Sequence, residues 1–268
     1  MKKLKECNYE ELIRKVAYKK ALPINGFPAL YIPDLNSTVI CDIHLGYEEE
    51  VSREGIILPK VQTERVKNRI ERMNELVSTK RLIINGDIRH GFEKITKREY
   101  REIENFLLFI SSFYKEVLLV KGNHDTFIRP IARKLGFPFV DYLNEREYLI
   151  MHGHEDNEEL IKKSEVVIIG HEHPAIKMIS EEGEYKKYLA IFYVPTKSKN
   201  IFVMVPPFSI FASGTALNER SNSLAGIAKK YSIVEEGIPF IIDERLGTIE
   251  LPKLRLLYYF KKINTMKS

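Results

Sequence analysis

The seven histidines of the chain are the residues whose types and spacing point most directly to chemistry. All of them lie between residues 44 and 173 of the 268-residue sequence, and each comes after a short apolar run, close to Asp, Asn or Gly. They are His44, His90, His124, His152, His154, His171 and His173. A lone histidine in such a place is more often structural than a ligand. Seven of them in five successive runs instead predict one shared site, where imidazoles bind metal ions or transfer protons.

Five predicted strands lead into these histidine-bearing runs. They are short, apolar and rich in β-branched residues, and they cover 38–41, 81–84, 116–120, 148–151 and 166–169. Apolar residues at helical spacing over 60–77 and 97–114 predict two helices between the strands. Alternating strands and helices indicate βαβ units around a largely parallel sheet. Because sites in such sheets form beyond the carboxyl ends of the strands, the histidine runs are expected at one edge.

The last third of the chain has a different pattern. The runs 187–194 and 200–205 read as strands with no helix between them, and 256–260 reads as a final core strand. These runs predict antiparallel strands of a second sheet. With 268 residues and no evident linker, we expect one domain over 1–268. It would carry a short N-terminal helical extension, 1–20, and a basic C-terminal tail, 261–268.

The five runs, taken in order, resemble the signature of the calcineurin-like metallophosphoesterases, whose elements are DxH, GD, GNH(D/E), H and GHxH. Successive elements are 45, 36, 29 and 19 residues apart, spacings that suit one βα unit each. The triplet Gly46-Tyr47-Glu48, which follows the first element, looks most like the archaeal SbcD-related branch. The resemblance implies an α/β fold in four αββα layers, with two mixed sheets flanked by helices.

The resemblance also implies a dinuclear metal centre. By motif position, Asp42, His44 and His173 would hold one ion. Asn123, His152 and His171 would hold the second, and Asp87 would bridge the two. Two divalent ions can clamp a phosphoryl group and generate hydroxide at neutral pH. Imidazole-rich coordination without thiolates favours manganese, with iron or zinc as alternatives and magnesium less suited.

Four further residues are candidates for work on the substrate. His124 resembles the family histidine that stabilises the transition state or protonates the leaving oxygen, and Asp125 would hold its ring or else cap a helix. His90 matches a residue that contacts the scissile phosphate in SbcD-type nucleases, and the alternative is a histidine at a helix end. Arg89 would pair with phosphate or be an exposed arginine. His154 could support the metal ligands, replace one of them or be a surface residue, and the first interpretation is preferred.

Composition and charge restrict the setting. At 44% hydrophobic and 29% charged residues, the chain is typical of a folded globular protein. No apolar run approaches the roughly 18 residues of a membrane helix, and acidic residues interrupt any signal peptide. Only two cysteines are present, so a disulfide framework is excluded. We therefore expect a cytoplasmic protein without a membrane partner, and the sequence leaves a homodimer open.

The basic residues at the end of the chain bear on the substrate. After Glu250 there is no acidic residue, whereas Lys253, Arg255, Lys261, Lys262 and Lys267 follow. Such a tail can contact the phosphates of nucleic acid, or it is a solvated terminus.

Three functions remain open on these grounds. The first hypothesis is a metal-dependent phosphodiesterase acting on DNA or RNA. The alternative is a hydrolase of small phosphoesters such as nucleotides or cyclic nucleotides, and a third is a non-catalytic scaffold. Only 95 residues follow His173, which leaves little for the DNA-capping domain and ATPase-binding tail of full-length SbcD-type nucleases.

Overall fold

The computed structural model of the protein describes residues 8–53, 55, 57–179, 183–219 and 224–258. The helices are α1 (Tyr9–Lys19), α2 (Tyr47–Arg53), α3 (Gln62–Leu76), α4 (Lys97–Ile110), α5 (Ile128–Leu135), α6 (Glu158–Lys163) and α7 (Gly226–Tyr231). The first sheet contains β1 (Leu22–Pro23), β2 (Ala29–Ile32), β3 (Ser37–Ile40), β4 (Arg81–Asn85), β5 (Glu116–Val120) and β6 (Phe139–Val140). The second sheet contains β7 (Tyr142–Glu145), β8 (Tyr148–Met151), β9 (Val166–Ile169), β10 (Pro174–Ile179), β11 (Tyr185–Pro195), β12 (Ile201–Met204), β13 (Thr215–Ala216), β14 (Ile238–Asp243) and β15 (Gly247–Glu250).

Both sheets are mixed. The first follows the order β1-β2-β3-β4-β5-β6, in which β3 to β6 are parallel and β1 and β2 are antiparallel additions. The second follows β13-β10-β11-β12-β9-β8-β7, with β14 and β15 attached to β11. Every strand of the first sheet precedes Asp141, and every strand of the second follows it. The two sheets are therefore also two consecutive halves of the chain.

Alternating side chains build three apolar clusters and hence four layers. In β4, Ile83 points into the cluster between the sheets, whereas Leu82 and Ile84 point outward against α3, α4 and α5. In β9, Val166 and Ile168 point inward, whereas Val167 and Ile169 lie in the outer cluster with residues of α6 and α7. The predicted four-layer αββα arrangement of two mixed sheets is confirmed.

Both predicted helices are present, over Gln62–Leu76 and Lys97–Ile110, and each is shorter than its predicted range. Side-chain caps fix the residues at which they begin. The helix predicted over 60–77 begins at Gln62, where the Glu48 carboxylate accepts the backbone N–H groups of Val61 and Gln62 at 3.0 and 2.8 Å. The second begins at Lys97, where Thr96 and Glu99 form a reciprocal cap. Carboxylates at these helix starts satisfy N–H groups that the helix itself cannot pair.

The structure describes part of the predicted N-terminal extension and part of the predicted final strand. The predicted N-terminal extension contains α1, whose Ile13, Val16 and Ala17 are fully buried in the cluster between the sheets. The final core strand predicted over 256–260 is wrong for its described part, since residues 254–258 are helical. The basic tail 261–268 lies outside the described residues, and the single-domain organisation stays a prediction.

Two of the basic residues that follow Glu250 are already paired. Glu236 forms ion pairs with Lys253 at 3.1 Å and with Arg255 at 2.8 Å.

Across the described part of the chain, no helix combines the length and apolarity that crossing a bilayer requires.

Candidate metal centre

The loops after β3 and β4 are joined into one structure at the carboxyl edge of the first sheet. The backbone N–H of Asp42 donates to the carbonyl of Gly86 at 3.1 Å, and that of His44 donates to the carbonyl of Asp87 at 2.9 Å. The loops after β8 and β9 reach the same place from the second sheet. There the backbone N–H of His171 donates to the Asp42 carboxylate at 3.2 Å. The site is thus assembled from both sheets.

One group of possible ligands consists of Asp42, His44 and His173, whose ligand atoms all lie within 4.8 Å of one another. Nε2 of His173 is 3.2 Å from Oδ1 of Asp42 and 3.4 Å from Nε2 of His44. Burial lowers the pKa of His44 to about 4, so its ring is neutral and offers a lone pair at pH 7.

A second group consists of Asp87, His152 and His171, again with ligand atoms within 4.8 Å of one another. Nε2 of His152 lies 3.3 Å from Oδ2 of Asp87 and 3.2 Å from Oδ1 of Asn123. Burial lowers the pKa of His171, which likewise favours a neutral ring. The structure therefore places Asn123 with this second group, as the motif positions imply.

The two groups meet at carboxylates. Oδ1 of Asp42 is 3.8 Å from Nε2 of His152, a residue of the second group, and 3.2 Å from Nε2 of His173 in its own group. Oδ2 of Asp87, in the second group, is 3.7 Å from Nε2 of His124. The His124 ring in turn lies 5.3 Å from the ring of His44, in the first group. Asp42 as well as Asp87 consequently lies between the two groups.

These donors fit two divalent ions. Nδ1 of the His152 ring lies 3.1 Å from the backbone carbonyl oxygen of Asn85, which can only accept a hydrogen bond, so Nδ1 keeps its proton. Nε2, which lies near Asp87 and Asn123, is therefore the atom that would bind a metal ion after losing its own proton. Nitrogen and carboxylate oxygen atoms of each group lie within 4.8 Å of one another. Such a donor set suits first-row divalent cations, and it constitutes a dinuclear divalent metal site.

Backbone conformation holds the ligands in place. Asp42, His44, Asp87, His171 and His173 all have φ between 48° and 64°, a region that residues other than glycine rarely occupy. Such conformations cost about 1–3 kcal/mol each and persist where the surroundings enforce them. The backbone hydrogen bonds between the loops supply that enforcement.

Two motif glycines are required by close approach. A Cβ at Gly86 would overlap the His152 ring, and a Cβ at Gly122 would overlap the Asp87 carboxylate. The glycines of the GD and GNH elements therefore make room for the ligands themselves.

His124 and His90 lie together beside the first group. Their rings are nearly parallel, with centroids 5.8 Å apart, and each ring is within 5.3 Å of the His44 ring. Nδ1 of His124 contacts the carbonyl of His90, and the His124 backbone N–H donates to the Asp87 carboxylate at 3.1 Å. His154 lies at the other end of the site, with its ring 5.3 Å from that of His152 and its Nε2 3.3 Å from Glu155.

The expected contact of Asp125 with the His124 ring is not found. The Asp125 carboxylate is buried and accepts the backbone N–H groups of Ile88 and Gly122, both at 2.9 Å. Burial raises the pKa of Asp125 to about 7. Its carboxylate thus ties the loop after β5 to the loop after β4, and it does not orient the histidine.

The expected contact of Arg89 with phosphate is also not found. Arg89 is only 2% exposed, and its Nε is 2.7 Å from a carboxylate oxygen of Glu99 in α4. Its Nη1 donates to the carbonyl of Glu93 at 2.8 Å, which fixes the loop that follows His90. The guanidinium is paired inside the protein, so both interpretations of Arg89, as a phosphate contact and as an exposed arginine, are wrong.

The substitution Arg89→Met should therefore affect stability. Removal of one partner from a buried ion pair leaves the other charge uncompensated and costs about 3–5 kcal/mol. We expect the free energy of unfolding, measured by urea denaturation, to fall by that amount, and Arg89→Met/Glu99→Leu to recover part of the loss. A stable Arg89→Met protein with only a raised KM would contradict this role and support a contact between Arg89 and the phosphate of the substrate.

The metal-free centre holds a proton that a metal ion has to displace. Burial alone would lower the pKa of His152, but the neighbouring Asp42 and Asp87 carboxylates raise it to about 9. At pH 7 the ring is charged, so binding of Mn²⁺ should release about one proton from this histidine. Titration calorimetry in buffers of different ionisation enthalpy measures that release, which should fade above pH 9. Heats independent of the buffer at pH 7 would contradict it.

Asn85 is a site residue that the sequence interpretation missed. It ends β4, and its side-chain NH₂ donates to the carbonyl of Met151 at 3.0 Å, while its own carbonyl contacts His152. The available signal was a polar residue at the end of an otherwise apolar strand.

The solved structures that match this chain include one nuclease and one phosphoesterase. Nuclease MPE from Pseudomonas putida is 16% identical, with a TM-score of 0.56, and the similarity covers 84% of this chain and 92% of that one. Yfce, a phosphoesterase from E. coli, is 15% identical, with a TM-score of 0.42, over 81% of this chain and 98% of that one. At these identities the likeness concerns the fold alone. No curated protein sequence matches the chain.

The family comparison covers more than half of the chain. Residues 35–195 match the calcineurin-like phosphoesterase family. That range includes the two ligand groups described above and a third cluster of possible ligands, His44, His90 and His124. It also includes strands of both sheets, from β3 to β11. The chain therefore belongs to the calcineurin-like phosphoesterase family and is a metal-dependent phosphoesterase.

Proposed function

We propose that this phosphoesterase cleaves phosphodiester bonds in nucleic acid. The observation that carries the proposal is the His90–His124 pair, which lies beside His44 at the edge of the first ligand group. The His90 ring is available to contact the non-bridging oxygens of a phosphate, and the His124 ring to protonate the leaving oxygen. The fold shared with a nuclease, and the SbcD-like residues after the first motif element, support the same substrate class.

The residues of the site receive the following roles in this proposal. Asp42, His44 and His173 hold one ion, and Asn123, His152 and His171 hold the other. Asp87 bridges the ions, His124 is the catalytic residue, and His90 contacts the substrate. Asp125 is a positioning residue, because its carboxylate accepts the N–H of the residue directly after Asp87 and that of the residue directly before Asn123.

Manganese is the proposed ion, with iron or zinc as alternatives. Four imidazoles, two carboxylates and one amide oxygen make a borderline donor set, in which magnesium would lack the oxygen ligands it prefers. When bound, the ions polarise the phosphoryl group and supply the nucleophile. The residues of the chain then orient the ester and handle the proton of the leaving group.

A second candidate is the hydrolysis of small phosphoesters such as cyclic nucleotides. It is favoured because all the described strands after His173, β10 to β15, belong to the second sheet. In the described part of this region, no separate unit stands over the site as a cap for DNA. Binding of nucleic acid would then rely on the surface around the metal centre.

Parallel assays distinguish the two candidates. We expect the Mn-loaded protein to cleave single-stranded DNA and bis-p-nitrophenyl phosphate, and to act poorly on p-nitrophenyl phosphate. Turnover of cyclic nucleotides without cleavage of DNA would favour the second candidate.

Elemental analysis of the Mn-loaded protein should approach two ions per chain, and saturation at one ion would contradict the dinuclear assignment.

A further inference from the structure

Aromatic side chains lie at both ends of the His90–His124 pair. The Phe92 ring lies against His124, with centroids 3.7 Å apart. On the other side, Tyr47 lies against His90 at 4.8 Å and stacks on Phe211 at 5.2 Å, with an interplanar angle of 19°. Phe92, Tyr47 and Phe211 are called the aromatic rim below. The rim and the two histidines make one continuous series of ring contacts.

The rim is accessible at the metal centre. Phe92 is 65% exposed and belongs to none of the three apolar clusters, while Tyr47 and Phe211 are half-buried. The loop that carries Phe92 is held from beneath, because buried Arg89 donates to the Glu93 carbonyl and pairs with Glu99. The Phe92 ring is thus exposed to solvent beside His124, on a loop that the contacts of Arg89 hold in place.

The shape of a phosphodiester substrate matches this arrangement. A phosphate in a nucleic-acid strand has one nucleoside on each side, and the histidine pair has aromatic rings on each side. Every nucleobase offers a flat face that stacks on aromatic side chains. We propose that the rim binds the two bases flanking the scissile phosphate, with Phe92 on one base and the Tyr47–Phe211 pair on the other. This inference rests on the proposed function and specifies its substrate.

The inferred substrate is single-stranded and recognised without regard to sequence. Bases in a duplex are already stacked on their neighbours, so their faces are not free for side chains. Stacking on rings discriminates little among the four bases, since all of them have such a face. The rim therefore favours unpaired DNA or RNA over duplex.

The test compares a twelve-nucleotide oligo(dT) with an oligomer of the same length in which every base is replaced by an abasic tetrahydrofuran unit. Stacking contributes about 1–3 kcal/mol per base, equivalent to roughly 5- to 100-fold in kcat/KM. Because two bases stack, we expect the wild-type protein to prefer oligo(dT) by at least the factor for one base, and to cut the same oligo(dT) more slowly in a duplex with oligo(dA).

Phe92→Ala should remove at least about fivefold of that preference, because its activity should fall more on oligo(dT) than on the abasic oligomer, and its metal content should match that of the wild type. Phe92→Trp should restore the preference, because a larger ring still stacks. Tyr185→Ala is the matched control: Tyr185 is an aromatic residue of similar exposure, 59%, placed in β11 against Lys177. That variant should behave like the wild type.

Two results would overturn the inference while leaving the proposed function in place. One is equal cleavage of the two oligomers by the wild-type protein. The other is an equal loss on both oligomers in Phe92→Ala, which would mean that Phe92 only supports His124. Failure to cut either oligomer would overturn the proposed nucleic-acid function, and this inference with it.

Discussion

Asparagine in place of Asp87 should remove metal ions and phosphoester hydrolysis together while the fold is retained. The carboxylate lies 3.3 Å from Nε2 of His152 and accepts the backbone N–H of His124 at 3.1 Å. Asparagine keeps an oxygen for that N–H but loses the charge shared by both ligand groups. We expect the loss of activity to exceed the roughly 10- to 100-fold that follows removal of a partner to a metal ligand.

Elemental analysis and thermal unfolding by circular dichroism measure the two parts of this prediction. Asp141→Asn is the control, because Asp141 is an exposed carboxylate paired only with Arg129 in the described structure, at 3.6 Å. Full metal content and normal turnover in Asp87→Asn would show that Asp42 alone joins the two ions.

Alanine in place of His124 should lower kcat by about 10²–10⁴, the range for loss of a general acid or of a charge-stabilising group. The metal content should not change, because the ring lies outside both proposed ligand sets. Its Nδ1 contacts the His90 carbonyl, which leaves Nε2 as the atom that faces the site.

The leaving group separates two roles for His124. An ester of p-nitrophenol needs little protonation on departure, so a general acid predicts a smaller loss for such substrates than for an alkyl ester. Equal losses on both would assign the ring to stabilisation of phosphate charge. Loss of metal from His124→Ala would make it a ligand, contrary to the proposal.

The strands that position the site could be predicted to within a residue or two, because they are buried on both faces. The apolar runs at 148–151 and 166–169 coincide with β8 and β9. Short strands such as β1 and β6 carry no pattern of their own and exist through pairing with β2 and β5. The apolar stretch after residue 253 could be helix or strand by periodicity, and packing makes residues 254–258 helical.

The residues of the site could be located from their motifs, but the direction of a side chain could not. Arg89 and His90 are neighbours in the loop after β4, yet one is paired with Glu99 in the interior and the other faces His44. The partner that decides this, Glu99, belongs to a helix whose packing is set by the whole fold. Asp125 is similar, since the N–H of Ile88 that it accepts becomes adjacent only when β4 and β5 pair.

The order of the two sheets along the chain bears on how the enzyme could be divided. Asp42, His44, Asp87 and Asn123 precede Asp141, and His152, His171 and His173 follow it. Two polypeptides separated at that residue would each retain one sheet and only part of each ligand group. Neither could form either ion site alone, so the bound metal would report their reassembly. The centre is in this sense a property of an interface between two halves that happen to be covalently joined.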